Sequence, residues 1–213
     1  VQIVLPQHIK EVFFRMLLRE MALEDFEEWL YENKELEMII ASDDYLDLIS
    51  LNYRKRSAEY ELRKLLMKQL DPGEVETYEL LGLLRKAKKQ PPDLAFVLMQ
   101  FYDLYCDGYY FLDILGLEYG LTVTVPPNAN SWNELSEKQQ KDLLSGFSPK
   151  LEEEIDRIIA CLENKTIILT GETNDCSRRL CYVDLRPRGL GKILVNFKQK
   201  ILNQWRKHFG RSF

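Results

Sequence analysis

Histidine, cysteine, glycine and long apolar runs are all scarce in this chain, and each scarcity argues against a class of function. Only two histidines occur in 213 residues, His8 and His208. Nucleophilic catalysis near neutral pH usually places a histidine base beside a Ser, Cys or Thr, and neither histidine sits in a recognisable signature. No Gly-x-Ser-x-Gly elbow is present. Among ten glycines one stretch, Gly189-Leu190-Gly191-Lys192-Ile193, has the look of a phosphate loop. Arg186 nevertheless stands where such a loop needs its first glycine, and Ile193 where it needs Ser or Thr to hold magnesium. The four cysteines, Cys106, Cys161, Cys176 and Cys181, are too few for a disulfide framework in a chain this long. Cys176 and Cys181 fall just within zinc-site spacing, but the further ligands of a closed tetrahedral site are scattered singles. No cofactor, metal or enzymatic activity is expected.

No apolar run approaches the roughly 18 residues needed to cross a bilayer, because charges interrupt every hydrophobic stretch. Residues 1–5 are apolar but lack the basic flank and small-residue cleavage site of a signal peptide. Reduced thiols and a cytoplasmic setting are the expectation. Internal repeats and low-complexity tracts are missing too. The chain is 46% hydrophobic, with ten Phe, eleven Tyr and three Trp at a net charge of -5. That is too apolar for disorder, and the length suffices to bury a sizeable core.

The periodicity of that apolar content is mostly helical. After Pro6, which suits a first helical turn, Ile9, Val12, Phe13, Met16 and Leu17 predict a helix over about 6–22. Phe26, Trp29 and Leu30 continue the period through 23–41, with a break expected at Asn33. Ser42, Asp43 and Asp44 predict the cap of a short helix carrying Tyr45, Leu48 and Ile49. Ser57 predicts the cap of a helix with Leu62, Leu65, Leu66 and Leu70, ended by Asp71, Pro72 and Gly73. A helix over about 77–89 stops at Pro91-Pro92. Asp93 caps the next, whose stripe is Leu94, Val97, Leu98, Phe101, Tyr102 and Tyr105. Residues 121–125 read as a strand between Gly120 and Pro126. Ser131 with Glu134, and Ser136 with Gln139, predict capping boxes. Ser148-Pro149 opens a helix with Leu151, Ile155, Ile158, Ile159 and Leu162 inside. Residues 166–170 and 180–185 predict a hairpin that could pair with the strand near 123, and a last amphipathic helix starts near Lys192. The expected fold class is therefore mainly α (α+β). It is a single α-rich domain over 1–213, with a small antiparallel sheet of two or three strands in the C-terminal half and a soft boundary near 90–93.

Charge is distributed unevenly along this pattern. Residues 20–47 hold eleven carboxylates against one cation, Lys34, whereas residues 178–211 hold ten cations against one carboxylate, Asp184. Such separation concerns partners and association rates, not fold. The acidic residues Glu24, Asp25, Glu28, Glu32, Glu35, Asp43, Asp44 and Asp47 are the candidate contact surface for a basic protein partner. Like charges at four-residue spacing weaken a helix, so a cationic partner would reward keeping them. The basic end interleaves Phe197, Trp205, Phe209 and Phe213 with cations, as single-stranded nucleic-acid binders do. Phe197 and Trp205 are eight apart on one face, however, which is core spacing, and this helix could instead lie against the acidic half. Asp103 and Asp107, four apart, form a further carboxylate pair of the kind that hard cations or acid/base chemistry use, although caps and solvated faces account for most such pairs.

Several segments also resemble small bacterial proteins of the immunity class, encoded beside polymorphic or contact-dependent toxins. These are Phe26-Glu27-Glu28-Trp29-Leu30-Tyr31, residues 45–53 (YLDLISLNY), residues 102–109 (YDLYCDGY), residues 116–121 (GLEYGL), residues 167–172 (IILTGE) and residues 182–186 (YVDLR). The resemblance covers about residues 24–186, and the basic stretch after Pro187 is no part of it. It implies a non-enzymatic cytoplasmic inhibitor that occupies or blocks a toxin domain. The alternative reading is a nucleic-acid-associated regulator that uses the basic terminal helix.

Overall fold

Hydrophobic residues at three- and four-residue intervals produce a run of short helices, which a computed structural model describes over residues 5–174 and 179–187. In chain order they are α1 (Gln7–Leu17), α2 (Leu23–Glu32), α3 (Glu35–Ile39), α4 (Ser42–Ser50), α5 (Ala58–Gln69), α6 (Pro72–Lys88) and α7 (Leu94–Cys106). A 3-10 turn (Tyr110–Leu112) and a π-helical stretch (Ile114–Gly120) lead into α8 (Leu121–Thr124). A second 3-10 turn (Trp132–Glu134), α9 (Glu137–Ser145) and α10 (Lys150–Glu163) follow. The chain then forms a two-stranded antiparallel sheet, β1 (Ile167–Thr173) and β2 (Leu180–Asp184). The mainly helical class with a small sheet in the C-terminal half is thus observed. Of the described residues, those up to Val183 group as one compact unit and Asp184 to Pro187 fall in a second. In the second, Arg186 donates to the Asp184 carboxylate at 2.7 Å.

The first unit is built on two apolar clusters. Helices α1 to α5 bury Ile9, Phe13, Phe26, Leu30, Leu36, Leu48, Leu62 and Leu66 together. A second cluster gathers Leu84, Leu98, Phe101, Phe111, Leu115, Val123, Ile155 and Ile158. Each fully buried side chain of this size stabilises by about 1.5–3 kcal/mol relative to exposure. The clusters hand over inside α6, where Val75 belongs to the first and Leu80 to the second. Lys10, its side chain only 15% exposed, reaches from α1 to α6 and grips both oxygens of Glu74 at 2.5 and 2.7 Å.

The local signals succeed where a side chain can complete the backbone. Ser136 and Gln139 make the expected capping box of α9. Glu134 instead accepts from the Asn130 amide, so the box expected at Ser131 does not form. Helix α6 starts at Pro72, five residues before the expected Thr77, because Asp71 accepts the Glu74 amide and Pro72 occupies the first turn. Asp71 to Gly73 therefore begin one helix as well as ending another. Helix α1 stops at Leu17, short of the expected residue 22. Ser42 lies inside α4 without capping it, and Ser57 donates to the Glu61 side chain rather than capping α5.

Where a strand is expected at residues 121–125, Leu121–Thr124 are helix and Val125 follows its end. Leu115, Tyr119 and Val123 recur every four residues and are all buried, so helical periodicity overrides the β-branched composition. Two glycines permit it: a Cβ on Gly116 would come within 2.8 Å of the Tyr105 Cβ, and one on Gly120 within 2.5 Å of the Leu98 carbonyl oxygen. The segment thereby lies directly along α7. Residues 121–125 contribute nothing to the sheet, which pairs β1 with β2. The helix expected from about residue 192 lies outside the described residues.

Candidate partner-binding surface

Helices α2, α3 and α4 present the acidic segment on a platform of packed aromatics. Phe13, Phe26 and Trp29 meet with ring centres 5.5 to 6.1 Å apart, and Tyr53 packs on Phe26 at 6.4 Å. The Tyr53 hydroxyl donates to the Leu48 carbonyl at 2.9 Å, tying the end of α4 to the loop that follows. Burial, followed by the nearby Tyr31 phenol and Glu27 carboxylate, raises the Tyr53 phenol well above its usual value, so it stays a donor. Tyr31 on α2 donates to the Ile49 carbonyl on α4 at 3.2 Å. Both α2 and α3 pack against α4, so the three helices present their outer sides as neighbours.

Of the eight acidic candidates, Glu24, Asp25, Glu28, Glu32, Glu35, Asp43 and Asp47 are exposed and Asp44 is partly covered. Glu35 lies 3.1 Å from the Nε2 of His8. Asp44 accepts from Gln69 at 2.7 Å and is 3.9 Å from Lys68. The other six, Glu24, Asp25, Glu28, Glu32, Asp43 and Asp47, have no cation within ion-pair distance among the described residues. The same three helices expose apolar side chains: Tyr31 at 54%, Met38 at 81% and Leu46 at 55%. Exposed apolar side chains and carboxylates with no ion-pair partner among the described residues thus lie on the same three helices.

Asp103 and Asp107 occupy a different place. Both are exposed at the end of α7 and line an open cleft of about 760 Å3 floored by Leu80, Leu83 and Leu104. Glu20, Glu76 and Glu79 complete its rim, residues whose convergence no single stretch of sequence announces. Glu76 and Glu79, three apart on α6 beside Leu80 and Leu83, are the signal that could have pointed there. Tyr109 donates to Glu76. Desolvation by the cleft walls raises the Glu79 carboxyl above the usual range, although its tip reaches solvent. Lys86, which also lines the cleft, is drawn to Asp93 at 2.6 Å. Among the described residues no three His, Cys, Asp or Glu side chains converge as a metal ion requires. Cys106, Cys161 and Cys181 are free thiols. Cys176, His208, the Gly189–Lys192 stretch and most of the basic end lie outside the described residues.

Residues 26–31, 45–53, 102–109 and 116–121 contribute Phe26, Leu30, Leu48, Tyr53, Tyr109 and Tyr119 to the core. Among the described residues no helix is long and apolar enough to cross a membrane. No family model, no curated protein and no solved structure matches this chain.

Proposed function

We propose that the chain is a non-enzymatic binding protein whose acidic helical face captures a cationic protein partner. On the resemblance to immunity proteins, that partner is a bacterial toxin domain met in the cytoplasm, and capture neutralises it. The observation that carries the reading is the set of six exposed carboxylates that have no cation within ion-pair distance among the described residues, set among Tyr31, Met38 and Leu46 on α2 to α4. Uncompensated like charges weaken the free helices, and a cationic surface docked on them turns that cost into attraction. Such a face also steers encounter, raising association rates above those of neutral docking. Nucleic-acid-cleaving toxins carry basic substrate channels and are partners of the right sign.

Co-purification with the product of the adjacent gene tests this directly. Capture should be retained at low salt, lost at high salt, and lost when Glu24, Glu28, Asp43 and Asp47 are reversed to lysine. Capture indifferent to both salt and reversal removes the acidic face from the function. Relief of that product's toxicity by the wild-type chain, and not by the reversed one, is the accompanying readout in cells.

A further inference from the structure

The outer face of α5 carries the opposite sign. Arg56, Tyr60, Arg63, Lys64, Met67 and Lys68 recur at three- and four-residue spacing and form one stripe along α5 and the turn before it. Two shallow depressions of about 220 and 410 Å3 run along the stripe and share Tyr60 and Arg63. Tyr60 is 63% exposed, with the Lys64 ammonium 4.5 Å from its ring centre. Over residues 54–68 six cations accompany two carboxylates, Glu59 and Glu61. Both carboxylates are already engaged, Glu59 by Arg19 at 2.6 Å and Glu61 by Lys55 at 3.1 Å. Arg54, Arg56 and Lys64 have no carboxylate within ion-pair distance among the described residues.

The basic stripe and the acidic face adjoin. Helix α4 packs on α5, and their seam is marked by the Gln69 amide donating to Asp44 at 2.7 Å and by Lys68 at 3.9 Å from the same carboxylate. A surface with adjoining patches of opposite sign is self-complementary under a two-fold rotation. About an axis through the seam, α4 of one copy meets α5 of the other, and the same contact is made a second time. Patches on opposite sides of a molecule would instead generate open chains.

We propose that the α5 stripe binds a second copy of this chain, in a closed two-fold dimer. Arg56 and Lys64 of each copy face Asp43 and Asp47 of the other, and Tyr60 packs against Leu46, which is 55% exposed in the single chain. Charge complementarity selects this occupant, because the acidic surface that fits the stripe is part of the same molecule. The dimer stands independently of the function proposed above. Competition between dimer and cationic partner for the α4 carboxylates rests on that reading, and makes self-association a reversible cover for the face when no partner is present.

Sedimentation velocity of the full chain over a range of concentrations tests the dimer at about 0.1 and 1 M salt, where the screening length falls from about 10 to 3 Å. The expected result is a dimer whose dissociation constant rises at least about tenfold at the higher salt, as for a contact held by exposed charges. The Arg56→Glu/Lys64→Glu variant and the Asp43→Lys/Asp47→Lys variant should each be monomeric. Their equimolar mixture should dimerise again, because a two-fold contact makes both reversed pairs complementary. Wild-type chain that stays monomeric at every concentration overturns the proposal, and so does a dimer that either variant retains. The functional reading is separately readable. Arg56→Glu/Lys64→Glu keeps the acidic face, so it should capture the cationic partner at least as tightly as wild type. A monomeric variant that captures nothing sinks that reading and leaves the dimer standing.

Discussion

Replacing Glu28 with lysine should make the free protein more stable while weakening its grip on a cationic partner. Glu24, Glu28 and Glu32 are spaced four apart on the exposed side of α2, so Glu28 takes part in two like-charge pairs at that spacing. Each such pair costs a helix about 0.2–0.5 kcal/mol, and an opposite pair returns a similar amount. Glu28→Lys removes two repulsions and creates two attractions. The pair with Glu24 runs in the favourable acid-before-base order, and the pair with Glu32 in the weaker reverse order. The sum is about 1 kcal/mol, which in a chain of this size raises the melting temperature by about 2–4 °C. Thermal melts followed by circular dichroism at about 0.1 and 1 M salt would read this out, and the gain should shrink at the higher salt because the side chains are exposed. A melting temperature that is unchanged or lower at 0.1 M would mean that other charges of the chain already neutralise α2. The claim that an external partner rewards these carboxylates would then lose its basis.

Four further outcomes follow from the packing and burial. Gly120→Ala would force a Cβ to within 2.5 Å of the Leu98 carbonyl and should cost about 1–3 kcal/mol in urea unfolding. Gly82→Ala on α6 meets nothing within 4 Å and should stabilise by about 0.5–1 kcal/mol in the same assay. Glu74→Ala strands the largely covered Lys10 ammonium and should destabilise by about 2 kcal/mol, whereas Lys10→Met, which removes the charge and keeps the bulk, should be close to neutral. The Glu79 carboxyl is held above its usual value by desolvation in the cleft, so the folded chain binds that proton more tightly than the unfolded one. The stability it confers is complete below the ordinary glutamate value and is lost as pH rises through the raised one. Denaturant melts in steps across that window should slope downward with pH, and Glu79→Gln should flatten the slope.

Most of the fold was legible because its signals are local. The α9 capping box, the stop before Pro91-Pro92, the break at Asn33 and the β1–β2 hairpin each depend on residues a few positions apart. Residues 121–125 misled because their composition favours a strand, while their fate is set by Gly116 and Gly120 lying against α7. That contact joins residues far apart in sequence and leaves no local mark beyond the glycines themselves. The start of α6 misled for a different reason: Asp71, Pro72 and Gly73 can end a helix or cap the next one, and here they cap.

The candidate surfaces divide along the same line. The acidic helices could be read from one stretch of chain, since their carboxylates are contiguous in sequence as well as in space. Tyr31, Met38 and Leu46 could not be singled out as exposed, because each falls at a position that helical periodicity alone would also allow at the margin of a core. The α5 stripe escaped notice because Glu59 and Glu61 dilute its composition, and only the structure shows both drawn off to Arg19 and Lys55.

The charges and the apolar side chains of the proposed docking face act over different distances. Carboxylates such as Asp43 and Asp47 are felt over about 8–10 Å at moderate salt; in the proposed complex they would set the encounter rate and the sign of the partner. Tyr31, Met38 and Leu46 act only at contact, where burying them would hold the complex once formed, and so they govern its lifetime. A basic surface with no concavity for these anchors would therefore meet the face often and leave it quickly. On the proposed reading, specificity for one cationic partner among many would reside in the apolar side chains, because charge alone attracts every basic protein alike.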